Sequence, residues 1–106
     1  MQFAFAHESL DVYRLALDVA RFIATSRFGP GMADLRDQAV RASRSVVLNI
    51  AEGRARGGDA GRNHLRIALG SAAEVCAVLD LACLAGGEGQ QVALRRVGAM
   101  LARMAC

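Results

Sequence analysis

An all-α chain, folded as an antiparallel up-down-up-down four-helix bundle, is what this sequence predicts, on three observations. Apolar residues make up 54% of it, above the ~45–50% of an ordinary domain, and the surplus is Ala, Leu and Val. β-branched residues nowhere alternate with polar ones, so the strand period is missing. Gly-rich breaks at Gly29-Pro30-Gly31, Arg56-Gly57-Gly58-Asp59 and Gly86-Gly87-Glu88-Gly89 divide the chain into four runs of helical period. Connections this short make successive helices antiparallel neighbours. The 106 residues read as a single four-helix-bundle domain, 1–106.

The first helix is expected at about 9–27. Leu10, Tyr13, Leu17, Ala20 and Ala24 make its inner stripe, widened by Val12, Ala16, Val19 and Ile23, with Asp11, Arg14, Asp18 and Arg21 opposite as an ion-pair ladder. The second is expected at about 33–55, with Asp34 and Asp37 in the first turn where negative charge suits the dipole. The third is expected at about 59–84, with Asp59 as its N-cap and Leu65, Ala68, Ala72, Val75, Leu79 and Ala82 as its core stripe. Ile67, Leu69, Cys76, Val78, Leu81 and Cys83 cover much of the rest. A helix apolar nearly all round either fills the centre of the chain's own core or marks an oligomer, and the balance favours the oligomer. The fourth is expected at about 90–104, with Leu94, Val97, Leu101 and Met104 inward and Arg95, Arg96 and Arg103 outward.

The second helix carries an unusual pattern. At 100° per residue, Leu35, Ala39, Ala42, Val46 and Ile50 form one apolar stripe, and Gln38, Arg41, Ser45, Asn49 and Glu52 form a polar stripe along its flank. A surface helix needs only the first. The second reads as a structural polar network fixing helix register or subunit docking, with Glu74 as the natural partner of Arg41. A basic cluster follows: Arg54, Arg56, Arg62, His64 and Arg66 around the second break. Together with backbone N–H groups at the third helix's start it could bind phosphate; the plainer reading is a solvated loop.

Several classes are disfavoured. The net charge of +3 is mild. All thirteen basic residues are Arg, which GC-rich codons explain and which also suits phosphate and carboxylate. Cys76, Cys83 and Cys106 form no disulfide framework and read as thiols of a reducing cytoplasm. The first residues lack the pattern of a signal peptide. The longest apolar span, 67–85, holds Glu74 and Asp80, which a membrane helix would rarely carry. His and Cys lack metal-ligand spacing, no Glu-x-x-His pair occurs, and no nucleophile–base arrangement or phosphate-loop motif is visible. No metal, no cofactor and no catalysis are expected, with Glu52 and Glu74 the one carboxylate pair to test.

Along the chain come, in order, LDVYRLALDVA, LRDQAVRASRSVVLNIAEGRAR and HLRIALGSAAEV. On Leu35, Gln38, Arg41-Ala42, Ser45, Asn49-Ile50-Ala51-Glu52-Gly53, Ala68-Leu69-Gly70-Ser71 and Glu74, the chain resembles the bacterial four-helix-bundle family encoded in intervening sequences of 23S ribosomal RNA genes. That family is itself similar to the accessory variability protein of diversity-generating retroelements. The resemblance covers nearly the whole chain. It implies a ring, most simply a homopentamer, that associates with RNA or nucleoprotein and has no established catalytic activity. Val40 replaces a second basic residue typical before Arg41, and Val46-Val47 replaces a common Ile-Pro. The expectation is a non-enzymatic ring-forming bundle that binds RNA or nucleoprotein through Arg-rich surfaces. The alternative is a protein–protein adaptor without nucleic-acid binding.

Overall fold

The computed structural model describes residues 2–106 and consists of a 3-10 turn, Ala6–Ser9, followed by four α-helices: α1 Asp11–Thr25, α2 Ala33–Arg56, α3 Gly58–Ala82 and α4 Gly87–Met104. No strand occurs among the described residues. The helices form an all-α four-helix bundle in which α2 packs on α3, α3 on α4, and α1 on α2 and α4. Its extents are 45 × 32 × 21 Å.

The core is made of short, branched side chains. Val12, Ala16, Val19 and Ile23 enter from α1, Ala39, Ala42, Val46, Val47 and Ile50 from α2, Leu65, Ala68, Ala72, Val75 and Leu79 from α3, and Leu94, Val97 and Leu101 from α4. The six-residue core stripe expected on α3 is buried throughout, and on α2 only Leu35 is left half-buried. On α1 the centre lies elsewhere. Val12, Ala16, Val19 and Ile23 are buried, while Tyr13, Leu17 and Ala20 are half-buried and Ala24 is exposed. Leu15 and Phe22 extend the apolar arc on its far side and shift its midpoint onto the Val12 row. The ion-pair ladder expected opposite does not form: among the described residues none of Asp11, Arg14, Asp18 and Arg21, all exposed, has an oppositely charged atom within 4.0 Å. Exposed pairs of this kind gain too little to hold two long side chains in one geometry.

Helix ends differ from expectation where backbone geometry decides them. The 3-10 turn occupies Ser9, so α1 begins at Asp11. At its other end the Ser26 hydroxyl donates to Phe22 O at 2.7 Å, satisfying a terminal carbonyl. A single residue, Gly57, separates α2 from α3. It is the residue that caps α3, with φ at 66°, so Asp59 lies in the first turn and is not the N-cap. Helix α4 starts three residues early, at Gly87, because Gly86 at φ 80° turns the chain beneath the Phe22 ring.

The α2–α3 hairpin closes on glycine. A β-carbon built on Gly61 would stand 2.5 Å from Gly53 O, and one on Gly53 would stand 2.8 Å from a Leu65 methyl and 2.9 Å from Gly61 O. Both glycines are buried, and the two backbones touch with nothing between them. Gly70, midway along α3, has no neighbour within 4 Å of such an atom. The two sites therefore predict opposite signs. Gly61→Ala should lower stability by about 1–3 kcal/mol through overpacking. Gly70→Ala should raise it by roughly 0.5–1 kcal/mol through helix propensity. Urea titration followed by circular dichroism checks both, and a neutral Gly61→Ala would remove the close approach from the account.

Candidate nucleic-acid interface

Two groups of polar residues were expected near the α2–α3 hairpin, and the hairpin sorts them. Ser45 and Asn49 lie half-buried in the seam between the helices. The Asn49 amide donates to Ser45 O at 2.9 Å and to Ser45 Oγ at 3.1 Å. Ser71, on α3, donates its hydroxyl to Ser45 Oγ at 2.8 Å. Asn49 Oδ1 lies 2.9 Å from His64 Nδ1. Since the Asn49 nitrogen faces Ser45, its oxygen must accept, and the His64 proton is therefore assigned to Nδ1. Four side chains thus lace α2 to α3. Ser71 went unnoticed in the sequence as a member of this network, and His64 was grouped with the arginines.

The remaining members of the polar stripe act differently. Gln38 is exposed with no side-chain hydrogen bond among the described residues. Glu52 accepts from Arg56 Nε at 2.9 Å, one helical turn on. Arg41 donates from Nε to Asp37 O, a backbone carbonyl of its own helix, at 3.4 Å, and does not reach Glu74. Glu74 is exposed and carries no salt bridge among the described residues. The hydrogen bond from Arg56, with its charge and a smaller contribution from His64, holds the Glu52 carboxyl below its ordinary value.

The basic cluster gathers at one end of the bundle, but its members are unequally available. Arg56 is engaged by Glu52. Arg62 pairs with Asp59. Arg66 donates from Nη2 to Ala105 O at 3.1 Å, where a cation also suits the carboxyl end of α4. His64 belongs to the seam. Arg54 is exposed with no ion pair among the described residues. Arg54 and Arg62 flank an open depression of about 260 Å³ whose other walls are Gly53, Gly57, Gly58, Gly61, Leu65 and Met104. It lies at the amino end of α3, where free N–H groups favour anions.

A residue of another kind was missed altogether. Gln91 is buried at the α3–α4 contact and donates from Nε2 to Cys76 O at 3.0 Å and to Asp80 Oδ1 at 2.7 Å. Its signal was weak, a glutamine three residues before Leu94 on the inward row. Beside it runs an apolar groove of about 380 Å³ between α3 and α4, walled by Leu69, Ala72, Ala73, Cys76, Ala77 and Leu94. No group of three or more His, Cys, Asp or Glu suited to a metal occurs among the described residues. Cys76, Cys83 and Cys106 are free thiols. No helix among the described residues is long and apolar enough to cross a membrane.

A small helical bundle with a polar α2–α3 seam and a basic end is the class these features define. The family model for the 23S rRNA-intervening sequence protein matches residues 8–87, and the chain belongs to that family. The match takes in α1, α2, α3 and the turn into α4, and with them the seam and the basic end. A comparison with curated proteins finds no match. The family is not a known enzyme family.

Two outcomes follow from the geometry. Asn49→Ala removes the bonds to Ser45 and leaves His64 Nδ1 without its acceptor, and should cost about 1–2 kcal/mol in urea unfolding. Asn49→Ala at wild-type stability would make the seam ornamental. For Glu52, the folded carboxyl titrates lower than the unfolded one. The contribution of its pair with Arg56 is therefore complete above the ordinary value of 4.5 and is lost as pH falls through the folded value. Glu52→Gln should flatten the acid limb of a stability–pH curve below pH 4.5 and leave its slope near neutrality unchanged. An unaltered acid limb would contradict this.

Proposed function

We propose that this protein is a non-enzymatic, cytoplasmic, ring-forming helical bundle that binds RNA or a nucleoprotein through arginine-rich surfaces. The observation that carries the RNA reading is the placement of Arg54 and Arg62 around the depression at the amino end of α3. Membership of a family described by intervening sequences in 23S rRNA supports it. A net charge of +3 per chain is weak alone, and repetition around a closed ring, for which we propose five copies, would multiply it into a basic rim. The depression itself has no aromatic residue in its walls for stacking on bases, which favours backbone-led binding of low sequence specificity there. Assembly is supported by large aliphatic side chains left in solvent on α2, α3 and α4: Leu48, Ile67, Leu81 and Val92.

Binding of a structured RNA, followed by filter retention across a salt series, tests this reading. Affinity should fall steeply with salt. Arg54→Gln with Arg62→Gln should weaken binding and lower the salt slope by about 1 for each arginine that meets a phosphate. The mass from light scattering should stay the same. RNA binding that ignores salt, or that is absent at low salt, would favour an adaptor whose partner is a protein, and binding that survives the double replacement would remove Arg54 and Arg62 from the interface. The assembly has its own measurement: light scattering on a sizing column should give a several-fold multiple of the 11.2 kDa chain, and a monomer at micromolar concentration would overturn it.

A further inference from the structure

The outer face of the α2–α3 hairpin carries a mismatch. Ser45 lies opposite Ser71, Asn49 opposite His64 and Gly53 opposite Gly61, so positions on the two antiparallel helices are level when one advances as the other recedes. By that rule Arg41 on α2 and Glu74 on α3 stand at one level, about a turn beyond the two serines. They nonetheless form no pair within 4.0 Å. The reason is rotation about each helix axis. Arg41 is four residues before Ser45 and Glu74 three after Ser71, which turns each away from the seam, toward the outer flank of its own helix.

Each flank continues as a strip. On α2 it holds Arg41, Arg44 and Leu48, with one acidic residue, Asp37, at its end, and on α3 it holds Ile67, Gly70, Glu74, Ala77 and Leu81, all exposed. Leu48 is 64% exposed, Ile67 46% and Leu81 64%. The α2 strip thus offers a basic and aliphatic edge, and the α3 strip an acidic and aliphatic one whose sole charge is Glu74. The two are complementary, yet within one chain Arg41 and Glu74 are left unpaired with each other. A contact between two different patches of the same molecule is the head-to-tail kind that closes into rings.

We infer that the α2 strip of one copy docks on the α3 strip of the next, with Arg41 paired to Glu74 of the neighbour and Leu48 covered against its Ile67–Leu81 row. The inference rests on the ring assembly proposed above and names the surfaces that build it. Charge exchange at two exposed positions tests it. Light scattering should give the full assembled mass for the wild type, a drop toward the 11.2 kDa chain for Arg41→Glu and for Glu74→Arg alone, and recovery for the two together. Leu48→Asp, which touches neither charge, should dissociate the assembly on its own. Melting curves by circular dichroism on the same samples should match the dissociated wild-type chain and report the fold. Single variants or Leu48→Asp that keep the wild-type mass would overturn the assignment, as would a folded double variant that stays dissociated. A wild type that is itself monomeric would instead remove the ring reading, and this surface with it.

Discussion

The contact between the backbones of Gly53 and Gly61 sets the geometry on which the α2–α3 seam depends. With no side chain between them, the two helices meet where a single β-carbon would stand 2.5 Å from a carbonyl oxygen. Only one residue joins them, so the hairpin cannot splay at that end. Helices this close can be bridged by the shortest polar side chains. Two serine hydroxyls meet directly at 2.8 Å, and one asparagine reaches a histidine one turn further along. Larger residues at 53 or 61 would part the helices and leave those groups to water. The small side chains of the core, Ala39, Ala42, Ala68 and Ala72 among them, suit the same close packing.

That closeness also explains what the seam is for. Every buried polar side-chain atom among the described residues has a partner, so the half-buried row imposes no unmet hydrogen bond on folding. Each bond in the row is directional and ties one residue of α2 to one of α3. Sliding either helix by a residue would break the row at every rung, which gives the hairpin one register. Apolar packing of alanine and valine alone resists such a slip less sharply, since neighbouring methyl groups are nearly equivalent.

The sequence made this legible only in part. Helical period and the glycine breaks located four helices and nearly all of the core, because burial follows a face and a face follows a period. The polar stripe stood out for the same reason. Periodicity describes one helix at a time, however, and partners across a seam depend on interaxial distance and level. Ser71 and His64 completed the network from α3, and nothing in their local pattern distinguished them from other polar residues of that helix. Arg41 and Glu74 failed as a pair for the converse reason: their level was right and their azimuth was wrong. The basic cluster was likewise visible as a run, whereas the duties of Arg56, Arg62 and Arg66 to Glu52, Asp59 and Ala105 appear only in three dimensions.

Those duties sharpen what the arginines can do. A side chain committed to an exposed carboxylate is held only weakly, so phosphate can compete for it. A guanidinium that closes the carboxyl end of α4, as Arg66 does, gives up a structural bond when it turns to a ligand. The cluster is therefore graded: Arg54 is free among the described residues, Arg56 and Arg62 are exchangeable at small cost, and Arg66 is tied to the end of its neighbouring helix. Because one chain supplies so few unengaged arginines at this end, strong binding of a polyanion there depends on many chains presenting it together. In the proposed assembly, charge at the basic end and complementarity along the α2 and α3 strips are one problem: the strips would decide how many copies of Arg54 a nucleic acid met at once.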